Sequence, residues 1–83
     1  MAEKRIGVVE HYYPKAQAAA VHLTAGLKVG DRIHIVGHGD DVVETVESLQ
    51  IDHAGIPEGK RGQHVGVHVP ERVHEGDEVF RVE

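Results

Sequence analysis

Eight of the 83 residues are histidines, and they are the side chains with the clearest potential for chemistry. Neutral imidazoles can bind Zn²⁺ or Ni²⁺. His34 and His38, like His64 and His68, are spaced four apart in segments that alternate as strands do. Four residues of strand span roughly 13 Å, which is too far for two ligands of one ion. We therefore expect no metal and no cofactor from any single strand.

The residue types needed for covalent catalysis are scarce. There is no Cys, and Ser48, the only Ser, falls within a predicted strand and not on a sharp turn. The carboxylate pairs Asp40–Asp41 and Asp77–Glu78 are adjacent in sequence, and adjacent side chains of a strand point to opposite faces. No acid–base pair follows from this spacing, so the sequence predicts that the protein is not an enzyme.

The positive charges lie on either side of a long acidic stretch. The formal net charge is −5, and no Lys or Arg occurs between residues 33 and 59. Phosphate binding needs clustered cations, and stacking on bases needs aromatic rings. Contact with RNA or with a protein partner is therefore predicted at two basic segments and one aromatic pair: Lys28, Arg32, Lys60, Arg61, Tyr12 and Tyr13.

Alternating apolar residues predict an all-β domain. The predicted strands are residues 5–9, 16–23, 31–36, 41–52, 64–69 and 78–82, separated by Gly and Pro. The apolar phase of 41–52 shifts between Val46 and Leu49, as a β-bulge would produce. Six strands in a single domain, residues 1–83, would leave exposed edges unless the sheet closes. We therefore predict a small closed six-stranded barrel, rich in antiparallel pairs.

Two segments, "KVGDRI" and "HEGDEV", predict the same turn. Gly30 and Gly76 can take a positive φ without a steric penalty, and Asp31 and Asp77 can accept a hydrogen bond from the turn backbone. Each turn leads into a strand. The repetition favours a structural role for these four residues and suggests two similar halves of a barrel.

The order of these motifs resembles a known family. The segments "AAAVHLTAGLKVGDRIHIVG", "VESLQID", "IPEGKRGQHVGVHV" and "VHEGDEVFRV" are similar to the second domain of translation GTPases of the elongation factor Tu type. The segments "HYYPK" and "SLQID" resemble short stand-alone elongation-factor-like proteins. Similar barrels also occur as a terminal domain of collagenase-like peptidases.

The resemblance implies a barrel of the translation-protein kind without the GTPase. The segment "GKRG" lacks the spacing and the Ser or Thr of a GxxxxGK[ST] phosphate loop. The implied function is a non-catalytic docking module for RNA, the ribosome or a partner protein. The alternative is an accessory domain that binds a metal or small ligand through a His-rich outer face. With no apolar run long enough for a signal peptide or membrane helix, a cytoplasmic protein with no membrane partner is expected; its oligomeric state stays open.

Overall fold

Ten β-strands form the secondary structure, and residues 2–83, which the computed structural model describes, contain no helix. The all-β class predicted from the alternating pattern is therefore confirmed, with ten strands in place of six. The strands are β1 Glu3–Tyr13, β2 Ala18–Leu23, β3 Leu27–Lys28, β4 Arg32–Gly37, β5 Asp40–Thr45, β6 Leu49–Ile51, β7 Ala54–Ile56, β8 Glu58–Gly59, β9 His64–His68 and β10 Glu78–Val82.

One eight-stranded antiparallel sheet contains all strands except β3 and β8, which pair with each other. Its order is β5-β4-β10-β1-β2-β9-β6-β7. The central strand β1 has irregular register between Arg5 and Gly7 and again between Val9 and His11, which bends it. Within residues 2–83, no ladder joins the edge strands β5 and β7, so closure into a barrel stays a prediction.

The core forms on one face of this sheet because apolar residues occupy alternate positions. In β2, Ala19, Val21 and Leu23 are buried while their neighbours are half-buried. The alternating pattern predicts that Ile33, Ile35, Leu49, Ile51, Val65 and Val67 share one core; five of them are buried, and Ile51 is half-buried against the same cluster. The buried five are Ile33, Ile35, Leu49, Val65 and Val67.

The predicted strand 41–52 is wrong as one element. The chain leaves β5 after Thr45 and enters β6 at Leu49, and these strands occupy distant places in the sheet. β5 pairs with β4 at one edge, whereas β6 lies between β9 and β7. The apolar phase shift was a real signal, but it marks a crossing between strands and not a bulge. Val46 and Leu49 are both buried because each faces the core from a different part of the sheet.

The turn at residues 28–31 has the geometry that its Gly-Asp pair predicts. Gly30 has φ 97° and the Asp31 backbone N–H donates to the Lys28 carbonyl over 3.1 Å, as in a type II turn. The Asp31 carboxylate accepts a hydrogen bond of 2.9 Å from the Lys28 backbone N–H. The turn is thus closed twice, once by backbone and once by the aspartate.

The same turn occurs three times, one more than the sequence suggested. Residues 74–77 repeat it with Gly76 at φ 89°, and residues 60–63 repeat it with Gly62 at φ 88°. In the third copy Gln63 replaces aspartate, and its side-chain oxygen accepts the Lys60 backbone N–H over 2.7 Å. The motif is therefore Gly followed by a short side chain with an acceptor oxygen, of which "GD" is one form.

Each of these glycine turns is joined to one buried residue by a reciprocal pair of backbone hydrogen bonds. The Gly N–H donates to the carbonyl of the buried residue, whose own N–H donates to the carbonyl of the residue after the Gly. All six of these bonds are between 2.8 and 2.9 Å long. The buried partners of the turns at Gly30, Gly62 and Gly76 are, respectively, Val46, Leu23 and Val9.

Whether the positive φ at residue 30 requires glycine can be tested separately from whether there is room for a side chain. A Cβ added at Gly30 or at Gly55 meets no atom within 4 Å, but only Gly30 is left-handed. We expect Gly30→Ala to lower the free energy of unfolding by about 1 kcal/mol or more, because a left-handed backbone penalises a Cβ. Gly55→Ala is the matched control. Urea denaturation of both variants measures the difference, and equal stability would show that the turn does not require glycine.

Candidate functional site

The two basic segments predicted as a binding surface lie side by side. Lys28 in β3 pairs in register with Glu58 in β8, and the loop with Lys60 and Arg61 follows directly. These lysines and arginines, together with Arg32, are exposed. Glu58 places a carboxylate between the cations, so the patch is of mixed charge and does not form a continuous basic face.

The adjacent tyrosines point to opposite sides of β1. Tyr12 is half-buried against the core, and its hydroxyl donates to the Val69 carbonyl over 2.9 Å. Tyr13 is 52% exposed, and its ring makes an edge contact with His11 at a centroid distance of 4.6 Å. Tyr13 is therefore the more exposed of the two rings.

Most of the imidazoles are held by carboxylates. Five of the eight histidines have Nδ1 within hydrogen-bond distance of a carboxylate oxygen: His11 with Glu75, His34 with Glu3, His38 with Asp77, His64 with Glu10 and His74 with Asp40. The partners lie between 31 and 64 residues apart in sequence. Local spacing carries no signal for such pairs, which is why the sequence did not predict them.

Several of these histidines surround one pocket of about 350 Å³. We call it the histidine pocket; it is lined by His11, Tyr12, His38, Arg72, His74 and Glu75. Its residues come from β1, from the β4–β5 turn and from residues 72–75, which lead into the Gly76 turn and form its first half. The rings of His38 and His74 have centroids 6.3 Å apart. A substrate or ligand group between them would meet both imidazoles.

Asp40 and Asp77 connect these two imidazoles. Asp77, wholly buried, accepts a hydrogen bond from His38 Nδ1 over 2.7 Å and another from the His74 backbone N–H over 3.0 Å. Asp40 accepts from His74 Nδ1 over 2.6 Å. Hydrogen bonds from Asp77 and then from His74 hold the pKa of Asp40 below its usual range. His38 is thus paired with Asp77 and His74 with Asp40, and the His74 backbone N–H also bonds to Asp77.

Asp77 was predicted only as a turn residue, and the structure adds its contact with His38. One ligand atom each from Asp40, His74 and Asp77 lies within 4.8 Å of the others. Asp40 is already hydrogen-bonded to His74 Nδ1 and Asp77 to His38 Nδ1, so we assign no metal to them. The arrangement can hold imidazoles in one orientation and move protons at their free nitrogens.

A second concave surface, the alanine groove, lies on the outer face of the sheet. It encloses about 580 Å³. Its floor consists of small residues of β2 and β9, Ala18, Ala20 and Gly66, and its sides include Lys15, Asp52 and His53 from two turns. Apolar clefts of this size with a few polar groups at the rim are typical of ligand sites.

Comparison with known proteins relates the chain to proteases. No family model matches. Over 76 residues the chain is 41% identical to an uncharacterized protease of Methanocaldococcus jannaschii. The alignment covers 90% of this chain but only 19% of that protease. The chain therefore spans about a fifth of the length of this relative.

Two solved structures share the fold over nearly the whole chain. Both are of the C-terminal domain of a Geobacillus thermoleovorans protein named as a U32 peptidase, the second as its selenomethionine variant. The first has a TM-score of 0.88 at 16% identity and covers 96% of this chain and 93% of its own. The second has a TM-score of 0.86 at 18% identity, with coverage of 92% and 96%. In fold, the chain is similar to a U32 peptidase C-terminal domain.

These findings correct the predicted family. The resemblance to elongation factor Tu domain 2 and to elongation-factor-like proteins is wrong, because the relative is named a protease and the structural neighbours are U32 peptidase domains. The physical reason is that the motifs carrying the resemblance are glycine turns before strands. Such turns serve any small β domain that needs a positive φ there.

The functions predicted together with the translation-factor resemblance also need correction. A non-catalytic translation-type docking module for RNA, the ribosome or a partner is wrong, since the relatives point to a peptidase family. The prediction that the protein is not an enzyme is wrong on the same finding. The alternative, an accessory domain that binds a metal or small ligand through a His-rich outer face, has no support from these relatives. No helix within residues 2–83 is both long and apolar enough to span a membrane.

His34 gives the domain a pH-dependent stability. Its Nε2 is hydrogen-bonded to Asp41 and its Nδ1 to Glu3, the latter over 2.8 Å. The hydrogen bond with Asp41, and after it the hydrogen bond with Glu3, raises the pKa of His34 above its ordinary value of 6.5. An imidazolium can donate to both carboxylates at once, whereas a neutral ring can donate to only one.

Because the pKa of His34 is raised in the folded state, the contribution of His34 to stability decreases as the pH rises. Stabilisation by His34 is fully present below about pH 6.5, its pKa when unfolded, and is lost as the pH rises through the folded pKa. We expect the free energy of unfolding to decrease over that interval, and to decrease less in His34→Gln. Urea denaturation from about pH 5 to about pH 9, roughly two units on either side of neutral, measures both changes. His68→Gln should keep the wild-type slope; the same slope in His34→Gln would contradict the assignment.

Proposed function

We propose that the chain is the β domain of a peptidase of the U32 kind and that its alanine groove holds an extended segment of the peptide substrate. The observation that carries the proposal is 41% identity over 76 residues to a protein named a protease. The similarity of fold to U32 peptidase C-terminal domains supports the same assignment. Since the chain spans 19% of that relative, hydrolysis by a longer protein is part of the proposal.

The shape of the groove suits a polypeptide backbone. Ala18, Ala20 and Gly66 have little or no side chain, so an extended peptide can approach the sheet closely. A volume of about 580 Å³ is enough for a segment of several residues. The exposed ring of Tyr13 lines one side and offers apolar contact to a substrate side chain.

The rim of the groove supplies charges of both signs. Lys15 lies in the β1–β2 turn, and Asp52 lies in the β6–β7 turn. A peptide in the groove could direct acidic side chains toward the lysine and basic ones toward the aspartate. Such complementarity fixes the direction in which a peptide binds more than it adds affinity.

Peptide binding tests the proposal, with ¹⁵N-labelled protein and the peptides of a casein digest. We expect the amide signals of Ala20 and Gly66 to shift. Ala18→Leu should weaken binding at least about tenfold, because the added carbons occupy the floor of the groove and remove apolar contacts worth more than about 1 kcal/mol.

The matched control is Ala2→Leu. Ala2 is exposed and precedes β1, whereas Tyr13 ends β1, so the 11 residues of this strand separate the control from the groove. Binding by Ala2→Leu should equal that of the wild type. If no amide of the groove moves at millimolar peptide, or if both variants lose binding alike, the proposed role of the groove is refuted.

A further inference from the structure

Two imidazoles of the histidine pocket are oriented in the same way by carboxyl groups. Nδ1 of His38 is bonded to Asp77 and Nδ1 of His74 to Asp40, which leaves Nε2 of each ring free for another partner. The side chains of His38 and His74 are 58% and 50% exposed, and both line the pocket. A histidine held in this way by a carboxylate is suited to proton transfer at Nε2.

The carboxyl groups place the two imidazoles in different surroundings. Asp77, the partner of His38, is wholly buried, whereas the side chain of Asp40, the partner of His74, is 15% exposed. One ligand atom each from Asp40, Asp77 and His74 lies within 4.8 Å of the others. Hydrogen bonding with Asp77 and then with His74 lowers the pKa of Asp40, so Asp40 is a carboxylate at neutral pH and can stabilise positive charge that develops on His74.

Close packing fixes the geometry of this cluster. A Cβ at Gly37 would lie 2.7 Å from Asp77 Oδ1, so a side chain at this position would displace the carboxylate. A Cβ at Gly76 would lie 3.3 Å from Cε1 of His38. His38 itself has φ 50°, a left-handed conformation that few residues other than glycine adopt. Both glycines thus provide the space in which His38 and Asp77 meet.

We propose that His38 and His74 form a general base and general acid pair that hydrolyses an acyl bond bound in the histidine pocket. The proposal rests on the proposed peptidase function, and it adds a site of chemistry that the groove does not provide. The ring centroids are 6.3 Å apart and both rings line the pocket, so one bound acyl group can contact both of them.

The reaction balances without a cofactor. His38 Nε2 accepts a proton from water as the water oxygen bonds to the acyl carbon. The carbon–nitrogen bond breaks as the imidazolium of His74 gives its Nε2 proton to the leaving amine. The products are a carboxylic acid and an amine, and proton exchange with solvent restores both imidazoles. Asp77 and Asp40 act as positioning residues, since they hold Nδ1 and do not contact the substrate.

Other charged groups around the pocket affect the same equilibrium. Arg72 lines it and would attract the negative oxygen that develops on the acyl group. His11 lines it too, with Nδ1 bonded to Glu75 over 3.2 Å. The pH profile of the reaction therefore depends on His38 and His74, with Arg72, His11 and Glu75 setting the local charge.

Hydrolysis of p-nitrophenyl acetate and of a fluorogenic peptide amide by the intact chain tests this site. We expect a bell-shaped pH profile and a loss of about 100-fold in kcat for His38→Asn, with a similar loss for His74→Gln. The matched control is His22→Asn. His22 lies in β2 and lines neither the histidine pocket nor the alanine groove, and within residues 2–83 no carboxylate is hydrogen-bonded to its imidazole.

Different results of these measurements support or overturn the proposal. Hydrolysis no faster than buffer on both probes, or equal loss in His38→Asn and His22→Asn, overturns the proposal. Asp40→Asn should lower kcat and shift the pH profile with little change in KM; an unchanged profile also overturns it. Long-range ¹⁵N NMR should find the Nδ1–H form of neutral His38, and the Nε2–H form would refute it even if a variant failed to fold. Peptide shifts in the alanine groove should persist in His38→Asn, so failure here leaves the proposed function separately measurable.

Discussion

Three reciprocal pairs of backbone hydrogen bonds between glycine turns and buried residues hold this domain in shape. Each pair joins a turn to Val9, Leu23 or Val46, and each of these side chains lies in the core. The residues concerned sit where the regular ladders are interrupted, in the second irregularity of β1, at the end of β2 and after β5. Backbone groups that the sheet leaves unpaired are thereby satisfied, which burial requires. The left-handed glycine of each turn is what allows this geometry.

Much of the sheet could be predicted because the alternation of apolar residues is visible within each single strand. Alternation identified β2, β4, β9 and β10 and the buried faces of the segments that hold Ile33, Ile35, Val65 and Val67. The break after Thr45 was not predictable in this way, since a phase shift is the same signal whether the strand bulges or ends. The third turn, residues 60–63, was not predicted because Gln63 occupies the position that aspartate has in the other two copies.

The histidine–carboxylate pairs of the candidate site could not be predicted, because the two members of each pair are far apart in the sequence. His38 and Asp77 are 39 residues apart, and His74 and Asp40 are 34 apart. They meet because β10 pairs with β4 in register, with Glu78 opposite Val36, which brings the Gly76 turn against the β4–β5 turn. The same turn motif that suggested a translation factor thus also delivers Asp77 to its imidazole. Turn chemistry is shared among many β domains, whereas the partner of a turn aspartate is specific to each.

The position of β1 sets a kinetic limit on how the domain forms. β1 pairs with β2, which follows it closely, and with β10, the last strand of the chain. Joining β1 to β10 closes a loop of nearly the whole chain, and the entropy of that closure must be lost before the contacts compensate. A nascent chain therefore keeps one edge of β1 unpaired until Val82 has been synthesised. We expect slow folding for so small a domain, with the unpaired edge of β1 as the surface at which incomplete chains aggregate.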